Sequence, residues 1–196
     1  MNLVVFRLIN NLANQNVVLD KIMIFFSRDV PYIFMAVIAV TFILGIASKN
    51  LEYRKAAFSI FFITVINLLI SFLIGSIYYV DRPFVHNKVN LLFPHAADAS
   101  FPSDHATGTM SIALGSEKLN KPLSMVLVLL SLIVSFSRVY VGHHYPADVI
   151  GAYAIVSASN YLYNAKFRSK IENLYGLFEK KFSGLLKVSS TSDSKY

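Results

Sequence analysis

From Ala56 to Val80 the chain carries no charged residue, and the run stops at Asp81-Arg82-Pro83. At about 1.5 Å per residue, a helix of that length crosses the roughly 30 Å hydrocarbon core of a bilayer. Pro31 to Ser48 and Leu123 to Val141 are runs of the same kind, and the second of them admits a single charge, Arg138. Backbone groups inside a membrane must be satisfied within the protein, so such runs constrain the chain to an all-α integral membrane bundle.

Composition fits one compact membrane domain: 196 residues, 55% hydrophobic and 15% charged. No internal repeat or soluble domain is evident. Cysteine is absent, which rules out a disulfide framework and a thiolate metal site and leaves five histidines as the notable nitrogen ligands or nucleophiles. The net charge of +7 could suggest nucleic acid. The basic residues lie between apolar runs and in the tail, however, and no basic stripe or reading motif accompanies them, which argues against that partner.

Along the chain, Met1 to Asp29 shows two short amphipathic patterns broken by Arg7, Asp20, Lys21 and Arg28. Neither is long enough to span, so an interfacial helical segment lying on the membrane is expected. Pro31 to Ser48 is the first span, and Ala56 to Val80 the second, with Asn67, Ser71 and Ser76 available as interhelical hydrogen-bonders. Asp81 to Phe101 is a long polar connection holding His86, Lys88, His95 and Asp98, expected to be functional or partly helical. The third span, Pro102 to Gly115, is short and should be sheltered by its neighbours. Leu123 to Val141 is the fourth, and Asp148 to Tyr163, entered through Pro146, the fifth; a bundle of about five to six spans is expected. From Lys166 a basic amphipathic helix leads into a disordered Ser/Thr/Lys end. The expected division is a membrane domain over 1–165, with a catalytic core at 78–150, and a cytoplasmic tail over 166–196.

With five spans, parity places Arg82, Ser103 with His105, Arg138, and His144 with Asp148 at one face. Lys49, Arg54, Lys55, Lys118, Lys121 and the basic tail fall on the other. The positive-inside rule makes the latter face cytoplasmic, so the polar clusters converge outside. Ionisable groups at the edge of membrane spans are costly and point to function.

Two arginines, two histidines, a serine and one carboxylate form an anion-binding set, because guanidinium forks match phosphate oxygens. Pro102-Ser103-Asp104-His105 at a helix start adds free backbone N–H groups, including that of Asp104, and a favourable dipole. His144 and Asp148, four apart, are expected to share a helical face, so that the carboxylate orients a nucleophilic imidazole. His105 could then serve as general acid and base. A metal site at His143, His144 and Asp148 is the competing reading, disfavoured by the neighbouring arginines and the lack of a carboxylate-rich shell. His86, His95 and Asp98 are read as loop residues, with His95 close enough in sequence to line the entrance.

Arg82-Pro83, then Pro102-Ser103-Asp104-His105, then Ser137-Arg138 with His144 six and Asp148 ten positions after the arginine resemble the three-part signature of the type 2 phosphatidic acid phosphatase superfamily. The resemblance implies His144 as a nucleophile forming a phosphohistidine, Asp148 as its orienter, His105 as general acid, and Arg82, Ser103 and Arg138 as phosphate ligands. It also implies no metal and no cofactor. The run from His95 to His105, HAADASFPSDH, looks like the bacitracin-resistance branch, undecaprenyl-diphosphatases of the bacterial plasma membrane acting on a lipid within the bilayer. Two departures stand out. The family's lysine seven residues before the arginine is replaced by Gly75, with Lys88 as a candidate substitute, and Asp104 stands where glycine is usual. Phosphatidic acid or phosphatidylglycerophosphate is the alternative substrate. A non-catalytic anionic-lipid binding or transport protein is the alternative of another class.

Overall fold

The computed structural model describes residues 2–192, and side chains through residue 181. Among the described residues it is entirely helical: α1 (Asn2–Asn10), α2 (Val17–Arg28), α3 (Val30–Ala47), α4 (Leu51–Ile77), α5 (Pro83–His86), α6 (Asp104–Gly115), α7 (Lys121–Tyr140), α8 (Pro146–Lys166) and α9 (Arg168–Ser192). Helix starts follow local chemistry. Asn16, Asn50 and Asn120 precede α2, α4 and α7 and accept from backbone N–H groups of the first turn. Pro146 opens α8 where its missing N–H is not needed.

Among the described residues, three helical stretches are long and apolar enough to cross a membrane: Val17–Ala47, Leu51–Ile77 and Lys121–Tyr140. α6 is different. Its 12 residues reach only about 18 Å, and it packs against α3, α4, α7 and α8. Eight of its residues are buried, among them Thr107, Thr109 and Ser111. Two of these hydroxyls are matched from neighbouring helices: Asn67 Nδ2 donates to Ser111 Oγ at 2.8 Å, and Thr109 and Ser131 hydroxyls meet at 2.8 Å. A helix too short to span alone is thus enclosed as the axis of the bundle.

The N-terminal segment is helical, as expected, with one side packed on the bundle and Val4, Leu8, Val17, Val18 and Phe25 exposed on the other. α2 continues into α3, and α1 lies against α7 and α8. Of the polar residues that break its pattern, Arg7, Lys21 and Arg28 are exposed, whereas Asp20, like Asn10, makes buried contacts with the bundle. Asp20 accepts from Tyr140 Oη at 2.8 Å, and Asn10 Nδ2 donates to the carbonyls of Asn90 and Tyr140 at 2.9 and 2.8 Å. Asn10 Oδ1 in turn accepts from Asn90 N at 2.8 Å. The long polar connection includes the short helix α5, in line with expectation.

At the opposite end, α9 packs on α4 and α8, so it is docked to the bundle. Arg54 pairs with Glu179, and the rings of Phe58 and Tyr175 stack at 5.0 Å. Of the chain end expected to be disordered, residues 193–196 lie outside the described residues.

Removing the Asn10 side chain leaves two carbonyls and one N–H without their partner in a buried place, each costing about 1–3 kcal/mol. Asn10→Ala is expected to lower the Tm in detergent by more than about 5 °C, read by a thermal-shift assay; an unchanged Tm would show that the clamp is dispensable.

Candidate active site

The ends of α4 and α7 and the starts of α6 and α8 meet at one end of the bundle, and the 87–103 connection wraps over them. Leu92 N donates to Val141 O at 3.3 Å, and Ser100 N to Val80 O at 2.8 Å. After α7, Gly142 turns the chain at φ +91°, and a Cβ there would stand 3.0 Å from Asn90 O. Both the conformation and the close approach call for glycine. The turn delivers His143 and His144, fully buried, beneath the connection.

His144 Nδ1 donates to Ser100 O at 2.9 Å. A carbonyl can only accept, so the proton sits on Nδ1, and Nε2 carries the lone pair of the neutral ring. Nε2 lies 2.9 Å from Arg82 Nη1. Asp148 Oδ2 is 3.6 Å from Nδ1, and it accepts instead from Ser100 Oγ at 2.5 Å and Tyr145 N at 2.8 Å. The expected direct bond between carboxylate and imidazole is therefore relayed through Ser100. The physical reason is that α8 begins at Pro146. His144 precedes the helix, so a spacing of four does not place the pair on one helical face.

Arg82 is buried and spends its donors on the protein. Nε donates to Asp98 at 2.7 Å, Nη1 to His143 O at 3.1 Å and Nη2 to Ala99 O at 3.4 Å. Arg138 is also buried, but only Nη1 is engaged, by Ser27 Oγ at 3.0 Å and Ser27 O at 3.5 Å. Among the described residues its Nε and Nη2 have no partner, and neither does the buried Ser103 Oγ. Ser103 caps the start of α6, where the helix dipole adds positive potential. Half-buried His105 follows, and Asp104 accepts from Ser71 Oγ at 2.8 Å. Unpaired charged donors in a dry site are costly, so this arrangement suits an incoming anion.

Of the expected site residues, Arg82, Ser103, Asp104, His105, Arg138, His144 and Asp148 lie at this end. Nothing places Lys88 with them: it is exposed and makes no hydrogen bond or ion pair among the described residues. A Cβ on Gly75 would stand 3.2 Å from Ala99 Cβ and 3.2 Å from Phe101 O. The glycine thus lets the connection pack closely on α4. Ser100, Asp98 and Ser27 escape a sequence reading because they act through tertiary contact, and no spacing rule links them to their partners.

An apolar cavity of about 360 Å³ begins at Asp104, His105 and Arg28 and runs between α3, α4 and α6. A second, of about 420 Å³, adjoins it between α3 and α4 and shares Met35, Ile38 and Phe61.

A family model for the PAP2 superfamily matches residues 56–168, a stretch containing every site residue expected from the sequence. The chain belongs to the PAP2 superfamily. Among PAP2-related proteins it is similar to the undecaprenyl-diphosphatase BcrC of Bacillus subtilis strain 168, at 36% identity over 83% of this chain and 82% of the relative. An undecaprenyl-diphosphatase of Sulfolobus acidocaldarius is 34% identical over 82% of this chain and 76% of its own. The crystal structure of Aquifex aeolicus LpxE superposes with a TM-score of 0.69 at 24% identity, covering 82% of this chain and 93% of that one, which shows a common fold.

Burial, with the charges of Arg138 and Arg82, holds the His144 imidazole well below its usual range. Burial, followed by the charge of Arg138, lowers His143 to about 3. Both rings are neutral at pH 7. The unfolded chain protonates its histidines near 6.5, so between about pH 6.5 and 3 it binds more protons than the folded one. Stability should be fully present above pH 6.5 and fall as the solution is acidified. Thermal melts from pH 7.5 to 4.5 are expected to show this slope, and His143→Gln should flatten it; an equal slope in the variant would contradict the assignment.

Proposed function

We propose that this PAP2 protein hydrolyses undecaprenyl diphosphate to undecaprenyl phosphate and inorganic phosphate, with the site at the outer face of a bacterial plasma membrane. The observation carrying this reading is the set of unpaired buried donors on Arg138 and Ser103, beside a neutral imidazole whose Nε2 is unprotonated. The names of the Bacillus and Sulfolobus relatives favour a polyprenyl diphosphate. The adjoining apolar cavities suit a long hydrocarbon tail, with its head at His105. The basic residues of the opposite end, Lys49, Arg54, Lys55, Lys118 and Lys121, favour that end as cytoplasmic.

In the first step His144 Nε2 attacks the terminal phosphorus. An N–P bond forms, the bond from phosphorus to the bridging oxygen breaks, and the electron pair leaves on the lipid monophosphate, with His105 as proton donor. Arg138, Ser103 Oγ and the N–H groups opening α6 hold the oxygens of the transferred group, with the charge of Arg82, whose donors the protein engages, beside them. In the second step His105 takes a proton from water, the hydroxide oxygen bonds to phosphorus, and the N–P bond breaks. Inorganic phosphate is released and His144 is regenerated. Asp148 acts through Ser100, whose carbonyl keeps the proton on Nδ1.

The test is phosphate release by purified protein in detergent with chelator, from undecaprenyl diphosphate and, in parallel, phosphatidic acid. Release is expected to be fastest on the diphosphate. His144→Ala should lower kcat by about a thousandfold or more, and Arg138→Ala by about a hundredfold. Preference for phosphatidic acid would move the substrate to a glycerolipid. Release indifferent to His144→Ala would overturn the catalytic assignment in favour of anionic-lipid binding or transport.

A further inference from the structure

The 87–103 connection carries an ionisable side chain that the chemistry above leaves unused. His95 is only 21% exposed in its side chain, and it stands at the rim of a cluster whose members Arg82, Arg138, His143 and His144 are buried. Its ring meets that of His143 edge-on, with centroids 4.6 Å apart. Nδ1 donates to Ala96 O at 3.1 Å, which leaves Nε2 as the atom available to a ligand. Asp98, the carboxylate that binds Arg82, lies 3.9 Å from Nδ1. The connection is tied down on both sides of His95, by His143 Nε2 on Phe93 O at 3.0 Å and by His144 Nδ1 on Ser100 O. His95 is therefore held in place, within electrostatic reach of Arg82, Arg138, His105 and His143.

We propose that His95 contacts the substrate and binds the phosphate that stays on the lipid, so that it selects diphosphates over monoesters. This rests on the diphosphatase reading of the site. When the bond from the terminal phosphorus to the bridging oxygen breaks, its electron pair stays on the leaving group. If that group is an alcohol, it needs a proton, which His105 can give. If it is a phosphate monoester, with a second pKa of about 6, it leaves far more readily with that same proton donor in place, and what it gains most from is a counter-charge.

Arg138, Ser103 and the start of α6 are committed to the transferred phosphate, and the donors of Arg82 to the protein. The retained phosphate must lie between that cradle and the apolar cavity that begins at His105. Arg28 lines the same cavity, but its side chain is 63% exposed and bonded through Nε and Nη2 to Asp29. Burial favours the neutral form of His95 in the empty site, with Arg82 and Arg138 acting in the same direction and Asp98 against it. An arriving diphosphate reverses that balance, and departure of the product restores it.

The experiment compares wild type, His95→Gln and His95→Lys in detergent. Farnesyl diphosphate serves as substrate, with methylenediphosphonate and inorganic phosphate as separate inhibitors. For His95→Gln, kcat/KM on farnesyl diphosphate is expected to fall at least tenfold and the Ki of methylenediphosphonate to rise by a similar factor, while the Ki of inorganic phosphate stays within twofold. His95→Lys should restore methylenediphosphonate inhibition to within about threefold of wild type. A parallel weakening of inorganic phosphate would show that His95 merely shapes the roof of the site and would overturn the proposal, as would unchanged kinetics in His95→Gln. A wild type that hydrolyses phosphatidic acid but not farnesyl diphosphate would instead sink the diphosphatase reading, and this inference with it.

Discussion

The site depends on one buried guanidinium. Arg82 joins three segments distant in sequence, through Asp98 and Ala99 O in the 87–103 connection and His143 O and His144 Nε2 after α7. A guanidinium in a poorly hydrated place must find a partner for each donor, and its fork geometry dictates where those partners stand. The two loops take their form around that requirement. The same contacts aim a guanidinium at Nε2, so the group that organises the loops also lies against the atom proposed to react.

Arg138 is the counterpart. It lies just as deep, but two of its nitrogens are unpartnered, as is Ser103 Oγ at the start of α6. The contrast separates a charge used to build the site from one left for an anion. Surrounding apolar helices raise the value of both, because Coulomb interactions are less screened away from water. They also explain why α6 can be short: its Ser111 and Thr109 hydroxyls bond to α4 and α7, so the bundle encloses a helix that could not span lipid alone.

Much of this was legible beforehand. The uncharged runs gave the helices, their parity gathered the polar clusters at one end, and residue chemistry marked that end for an anion. What was misjudged has a common cause. Asp20 was read as a polar break in a surface helix, yet it is a buried partner of Tyr140, as Asn10 is of Asn90 and Ser27 of Arg138. His144 and Asp148 were given a shared helical face that the start of α8 at Pro146 denies them. Local periodicity reports which way a side chain points relative to its own helix, and is silent on whether water, lipid or another loop lies there.

The sequence by itself determined the helical class, the membrane setting and the cast of chemical groups, since long uncharged runs admit few backbone solutions and arginine, histidine and serine have fixed chemistries. Only the tertiary structure decided the wiring. It routed Asp148 through Ser100, engaged Arg82 with Asp98, left Arg138 open, and set His95 against His143. Those pairings join residues far apart in the chain, and hydrogen bonds select among them within tenths of an ångström, a resolution that no spacing along the sequence carries.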